Sequence, residues 1–166
     1  MATALILVDV TPRIEREGAG HITAFMRSAP NGFASLEEAA DAVATFLPHR
    51  PKPKSYTGLL KNLRLKADNR YHWHWDPQFL GGSKDVDPSL FSDRLTRAAK
   101  RIAIPTLLVR GGLSRVVSPE TTDEFLTLTP HAEFVNVADA DHMVAGDRND
   151  AFNAAIFDFL DRTVPL

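Results

Sequence analysis

Two short, unbroken apolar runs constrain this chain more than any other feature. Ala4-Leu-Ile-Leu-Val8 is ended by Asp9 and Pro12, and Ile104-Pro-Thr-Leu-Leu-Val109 is stopped by Gly111-Gly112. A strand that alternates apolar and polar residues buries one face, whereas an unbroken run buries both, as strands do in a parallel sheet layered between helices. Glu133-Phe-Val-Asn-Val137 is a shorter third run. All three are expected to be parallel, and parallel neighbours need long crossovers rather than tight turns.

The crossover between the second and third runs is written locally. Ser118-Pro119-Glu120 offers an N-cap, a proline at the first helical position and an acidic first turn, leading to Phe125, Leu126 and Leu128 before Pro130. After the third run, Phe152, Ala155, Ile156, Phe159 and Leu160 recur at helical spacing, with Asp147 or Asn149 placed to cap the start. Strand, helix, strand, helix in this order predicts an α/β fold with right-handed crossovers.

The connection from Thr11 to Lys100 is too long and too varied for one crossover, so it reads as an inserted layer. Two regions are expected: a core of residues 1–12 and 101–166, and an insert of residues 13–100. Ser35-Leu-Glu-Glu38 caps a helix whose Leu36, Ala39, Ala40, Val43 and Leu47 share a face, ended by Pro48. Pro48 to Pro53 is an extended, solvated basic joint; a second helix is expected after Ser55 and a third from Ser92-Asp93 through Leu95, Ala98 and Ile102. Leu63–Leu65 and Tyr71–Trp75 flank the turn-forming pair Asp68-Asn69, which predicts a β-hairpin. Alternation puts Tyr71, Trp73 and Trp75 on one face and His72, His74 and Asp76 on the other.

Composition narrows the function. In 166 residues, 19 Lys and Arg against 21 Asp and Glu leave a net charge of −2 with the cations scattered. Such a surface has no footprint for a phosphate backbone, so nucleic acid is excluded as a partner. With no cysteine there is no disulfide, thiolate metal site or cysteine nucleophile, which fits a cytoplasmic setting. No stretch approaches the roughly 18 apolar residues of a membrane helix, and Asp9 cuts the leading run short of a signal peptide. Gly18-Ala-Gly20 lacks the strand-to-helix context and lysine of a phosphate loop. His72-x-His74-x-Asp76 would converge on one side of a strand, as metal ligands do, but the local set is incomplete, so no metal and no cofactor are expected.

Three strands buried on both faces need neighbours, and the first would present an unpaired apolar edge. The expectation is the C-terminal part of a larger α/β sheet, or a chain that completes its sheet with a partner or by self-association through its first strand. Taken in order, Ala4 to Pro12, the long insert, the strand ending Val109-Arg-Gly-Gly112 and Ala138-Asp-Ala-Asp-His142-Met-Val resemble the α/β-hydrolase fold. The resemblance spans nearly the whole chain. It matches the last three parallel strands with a helical and hairpin cap inserted after the first, as in cap-bearing esterases, epoxide hydrolases and cofactor-free haloperoxidase-like enzymes.

That resemblance implies roles. His142 stands where the family's triad histidine lies, on the loop after the last strand. The family's acid usually follows the preceding strand, but Gly111 to Ser118 offers Ser114 or Arg115 there, and neither is a carboxylate. Asp9, at the end of the strand before the cap, is the substitute, although a strand-end aspartate also serves as a turn residue. No Gly-x-Ser-x-Gly elbow occurs, so the 166 residues alone are expected to be inactive. The parent reaction is hydrolysis of a small apolar ester, epoxide or similar substrate beneath the cap, with Trp73 and Trp75 facing the substrate. The alternative is a non-catalytic binding or interaction module, a degenerate relative of the hydrolases.

Overall fold

The computed structural model describes residues 2–50, 52, 54–80 and 88–164. The order is β1 (Leu5–Val8), α1 (Arg16–Arg27), α2 (Leu36–Phe46), a 3-10 turn (Thr57–Lys61), β2 (Leu63–Leu65) and β3 (Tyr71–Trp73), then a second 3-10 turn (Pro77–Leu80). It continues with α3 (Pro88–Ala99), β4 (Thr106–Gly111), α4 (Pro119–Leu128), β5 (Glu133–Val137), α5 (Val144–Asp147) and α6 (Asn149–Thr163). These elements form two units, Met1–Gly20 with Asp85–Leu166, and His21–Lys84.

The first unit holds a parallel sheet in the order β1-β4-β5. Leu5 lies opposite Thr106 and Val8 opposite Val109, while Leu107 meets Glu133 and Gly111 meets Val137. β4 is central and all six of its residues are buried. The two flanking strands depart from the expected burial: β1 is only partly buried, and β5 alternates, with Phe134 40% exposed. An apolar run is covered fully only with a neighbour on each side, and these strands have one each among the described residues.

Alternation along β4 divides the core in two. Leu107 and Val109 join Val137, Ala140, Val144 and Phe159 on one face, with Ile6, Val8, Ile156 and Leu160 packed around them. Leu108 joins Ala99 and Phe125 on the other, with Leu7, Ile102 and Leu126. α6 therefore covers one face and α3 with α4 the other, and each fully buried large side chain contributes about 1.5–3 kcal/mol.

α4 starts as its sequence prescribes: Ser118 Oγ accepts from Thr121 N at 3.2 Å, and Thr121 Oγ1 accepts from Ser118 N at 3.0 Å. α6 does not. Asp147 ends the separate short helix α5, Arg148 takes the N-cap position without a side-chain capping bond, and the Asp147 carboxylate accepts from Asp141 N at 2.9 Å instead. α3 begins at Pro88, four residues before Ser92, because proline's fixed φ already suits a first helical position. α1 is absent from the sequence reading, since Gly18 and Gly20 disfavour a helix. A Cβ on Gly18 would lie 1.9 Å from the Arg115 carbonyl oxygen, so this residue is selected by backbone approach rather than by propensity.

In the second unit, β2 and β3 pair antiparallel with Leu63 opposite Trp73 and Leu65 opposite Tyr71. Asn69 takes the left-handed conformation of the turn (φ 58°), and Asp68 Oδ1 accepts from Arg70 N at 3.0 Å. Phe33 and Tyr71 exchange both backbone hydrogen bonds at 2.8 Å, adding a one-residue third strand. Ser35 caps α2 by accepting from Glu38 N. Phe33, Ala39 and Leu63 form the small core, with Leu36, Tyr71 and Trp73 against it. The helix expected after Ser55 is the five-residue 3-10 turn, because β2 begins two residues after it. In the joint, Lys52 pairs with Asp41; Pro51 and Pro53 lie outside the described residues.

Candidate active site

Asp9 directly follows Val8, the last residue of β1. Its N–H continues the ladder, donating to the Val109 carbonyl at 2.7 Å, while its φ of 49° is left-handed, a conformation aspartate tolerates better than most residues. The side chain is wholly buried. An isolated ionised carboxylate there would be strongly disfavoured, and three donors answer it. Oδ1 accepts from Gly111 N at 3.0 Å; Oδ2 accepts from Ser114 Oγ at 2.5 Å and from His142 Nδ1 at 2.8 Å.

Two glycines bring these donors together. A Cβ on Gly111 would stand 2.3 Å from the Asp141 carbonyl oxygen, and one on Gly112 would stand 2.5 Å from the Ala138 carbonyl oxygen. The end of β4 and the loop after β5 thus meet backbone to backbone, stitched by Gly112 N to Val137 O at 2.8 Å and Leu113 N to Ala140 O at 2.9 Å. Within the loop, Asp141 Oδ1 accepts from His142 N at 2.7 Å.

His142 has 38% of its side chain exposed. The hydrogen bond to Asp9 raises its pKa above the ordinary histidine value; partial burial opposes this, and the charges of Asp9 and Asp141 add to it. With Nδ1 facing a carboxylate, the ring proton of the neutral form is assigned to Nδ1, leaving Nε2 as the acceptor. Nε2 has no hydrogen-bond partner among the described residues. The arrangement can take up a proton at Nε2 and hold the resulting cation against Asp9.

The structure therefore joins Asp9 to His142 and gives Ser114, at the position where a carboxylate is expected, the role of a donor to Asp9. Among the described residues the side-chain hydrogen bonds to Asp9 come from Gly111 N, Ser114 Oγ and His142 Nδ1, and Arg115 is not among them. Sequence reasoning passed over Arg110, whose guanidinium donates to the Val117 carbonyl at 2.7 Å and to Asn136 Oδ1 at 2.9 Å, holding the turn that carries Ser114. Its signal was a lone cation at the end of an apolar run.

Trp73 and Trp75 belong to the other unit, stacked with ring centroids 4.7 Å apart. With Arg27, Lys66 and His72 they line a cleft of about 320 Å³. The partner of His72 is Asp68, whose Oδ2 lies 2.8 Å from Nε2 and whose pKa is lowered chiefly by that bond. Among the described residues no group of three His, Asp or Glu side chains is gathered closely enough to hold a metal ion.

Comparison with solved structures identifies the fold of the chain. A crystal structure of E-2-(acetamidomethylene)succinate hydrolase matches with a TM-score of 0.78 at 22% identity, over 96% of this chain and 58% of that one. An α/β hydrolase from Novosphingobium aromaticivorans matches at 0.68 and 23% identity, over 96% and 57%. An esterase from Mycobacterium tuberculosis matches at 0.69 and 24% identity, over 96% and 55%. The chain thus carries part of an α/β-hydrolase fold and spans little more than half the length of these structures. No protein-family model matches it, and no curated protein matches its sequence.

Proposed function

We propose that Asp9 and His142 are the acid and base of a hydrolase site acting on small ester-like substrates. One observation carries this reading: a buried carboxylate holds Nδ1 of a half-exposed imidazole whose Nε2 is unoccupied, within a fold that solved hydrolases share. His142 Nε2 takes the proton of an attacking hydroxyl as its oxygen bonds to the acyl carbon. The carbonyl electron pair moves to oxygen, and its return expels the alcohol, which leaves with the proton from Nε2. Water repeats the sequence to release the acid. A positioned base of this kind accelerates proton transfer by about 10²–10⁴.

The 166 residues contain no Gly-x-Ser-x-Gly elbow, so the nucleophile and oxyanion donors are assigned to polypeptide beyond them, and this chain alone is inactive. Residues 13–100 are read as a cap, with Trp73 and Trp75 as the substrate wall. The lack of cysteine supports a cytoplasmic setting, and no helix among the described residues is long and apolar enough to cross a membrane.

Among the described residues β1 has a neighbour on one side only, which supports a second reading, a module that recruits a further strand from another chain or from a second copy. The deciding experiment expresses the longest open frame encoding these residues and follows para-nitrophenyl acetate. Hydrolysis that falls at least about 10³-fold in His142→Ala, with none from the 166 residues alone, is expected. Turnover indifferent to His142, or none from the longest frame, overturns the hydrolase reading; concentration-dependent mass in the latter case favours the recruiting module.

A further inference from the structure

We propose that Ser114 is a positioning residue that acts on His142 through Asp9, occupying part of the carboxylate's accepting capacity and so limiting how strongly Asp9 holds the imidazolium. This rests on the reading of Asp9 and His142 as an acid–base pair. The starting point is the bonding of one hydroxyl. A serine side chain has one proton to donate and two lone pairs, and all three are used here. Ser114 Oγ accepts from Val116 N at 3.1 Å and from Val117 N at 3.2 Å. Its remaining valence is the proton, and the group facing it is Asp9 Oδ2 at 2.5 Å. The direction of that bond is thereby settled: serine donates and carboxylate accepts.

Ser114 is 8% exposed and Asp9 wholly buried, so water does not compete for either. A short O–H···O⁻ bond is among the stronger hydrogen bonds in proteins, and the two amides behind Ser114 polarise its hydroxyl further. The oxygen that receives this proton also receives His142 Nδ1. Negative charge drawn toward Ser114 is withdrawn from the imidazole. The charged groups facing His142 among the described residues are Asp9 and Asp141, both carboxylates, and both favour its cation. Among the described residues, partial burial opposes that cation directly, and the two hydrogen bonds that Asp9 accepts from Ser114 Oγ and Gly111 N oppose it through the carboxylate, Ser114 alone sharing the oxygen that faces the ring. A ring already protonated at Nε2 cannot take a proton from a nucleophile, so this restraint bears on the proposed chemistry.

Imidazole NMR of the 166-residue chain tests the idea without any turnover. The titration midpoint of His142 is followed in the parent protein, Ser114→Ala and Ser114→Thr, with His72 and His131 as internal references. The expected result is a rise of about half a unit, a threefold increase in proton affinity, in Ser114→Ala, return in Ser114→Thr, and no change at the references. In Asp9→Asn, adding Ser114→Ala should leave His142 unmoved. A purely structural serine predicts lower stability with an unchanged or lowered midpoint; that outcome in a folded variant, or failure of threonine to restore the value, overturns the proposal. Should Ser114→Ala not fold, Ser114→Cys carries the same test, its weaker donor raising the midpoint by a smaller step. Loss of the hydrolase reading by the ester assay leaves this titration untouched, so the two failures are separable.

Discussion

Replacing Asp9 by asparagine keeps its shape and removes its charge, and the donors around it dictate the outcome. Gly111 N, Ser114 Oγ and His142 Nδ1 all donate to the carboxylate. An amide offers one accepting oxygen and one donating NH₂. If the oxygen stays with the backbone N–H of Gly111, which cannot turn, the NH₂ faces Ser114 and His142. His142 can respond only by carrying its proton on Nε2, which removes the accepting nitrogen. Ser114, with both lone pairs already engaged, is left with a proton and no acceptor. A lost charge-assisted bond is worth about 1.5–3 kcal/mol and a stranded buried donor about 1–3 kcal/mol. The lower cost of burying a neutral amide offsets part of this, leaving an expected loss of about 2–4 kcal/mol.

The pH dependence has a definite sign. The folded-state pKa of His142 is raised by Asp9, so the stability it contributes is complete below the unfolded value of about 6.5 and disappears as pH rises through the higher folded value. Urea unfolding followed by circular dichroism should therefore show a larger gap between parent and Asp9→Asn at pH 5.5 than at pH 9. Imidazole ¹⁵N shifts should report a move from the Nδ1–H to the Nε2–H tautomer. An unchanged tautomer, or the same gap at both pH values, would refute this account of the site.

Three further substitutions probe the frame around it. Ser118→Ala removes the bond that Oγ accepts from Thr121 N and the one it donates to Glu15, and should cost about 1 kcal/mol in urea unfolding; a neutral result would mean that Pro119 and the retained backbone bond to Thr121 Oγ1 start α4 unaided. Gly111→Ala drives a Cβ into the Asp141 carbonyl and should destabilise by about 1–3 kcal/mol while lowering the His142 titration midpoint, whereas a parent-like midpoint would show that the loop gives way without losing Asp9. Phe159→Ala empties the α6 side of the sheet and should cost about 3–5 kcal/mol; calorimetry showing under 1 kcal/mol would mean α6 is not part of the cooperative core.

What the chain settled by itself is local. The apolar runs at Leu5–Val8 and Thr106–Gly111, the caps at Ser35 and Ser118 and the Asp68-Asn69 turn each depend on neighbours a few residues away. Hydrogen bonds and periodicity at that range are written in composition and spacing. The order of these elements was enough to suggest the fold and to single out Asp9 and His142. The tertiary structure decided what depends on contacts between distant segments. It set which strand is central, and it made a helix of Arg16–Arg27 against its glycines, because Gly18 abuts Arg115. It sent Asp147 to Asp141 rather than to the start of α6. The proposed site is the clearest case, since Asp9 meets His142 across 133 residues and Ser114 across 105. No local signal marks a serine as the donor to a carboxylate so far away in sequence. Burial of that carboxylate makes the donor necessary, and burial is a property of the assembled sheet rather than of any one stretch of chain.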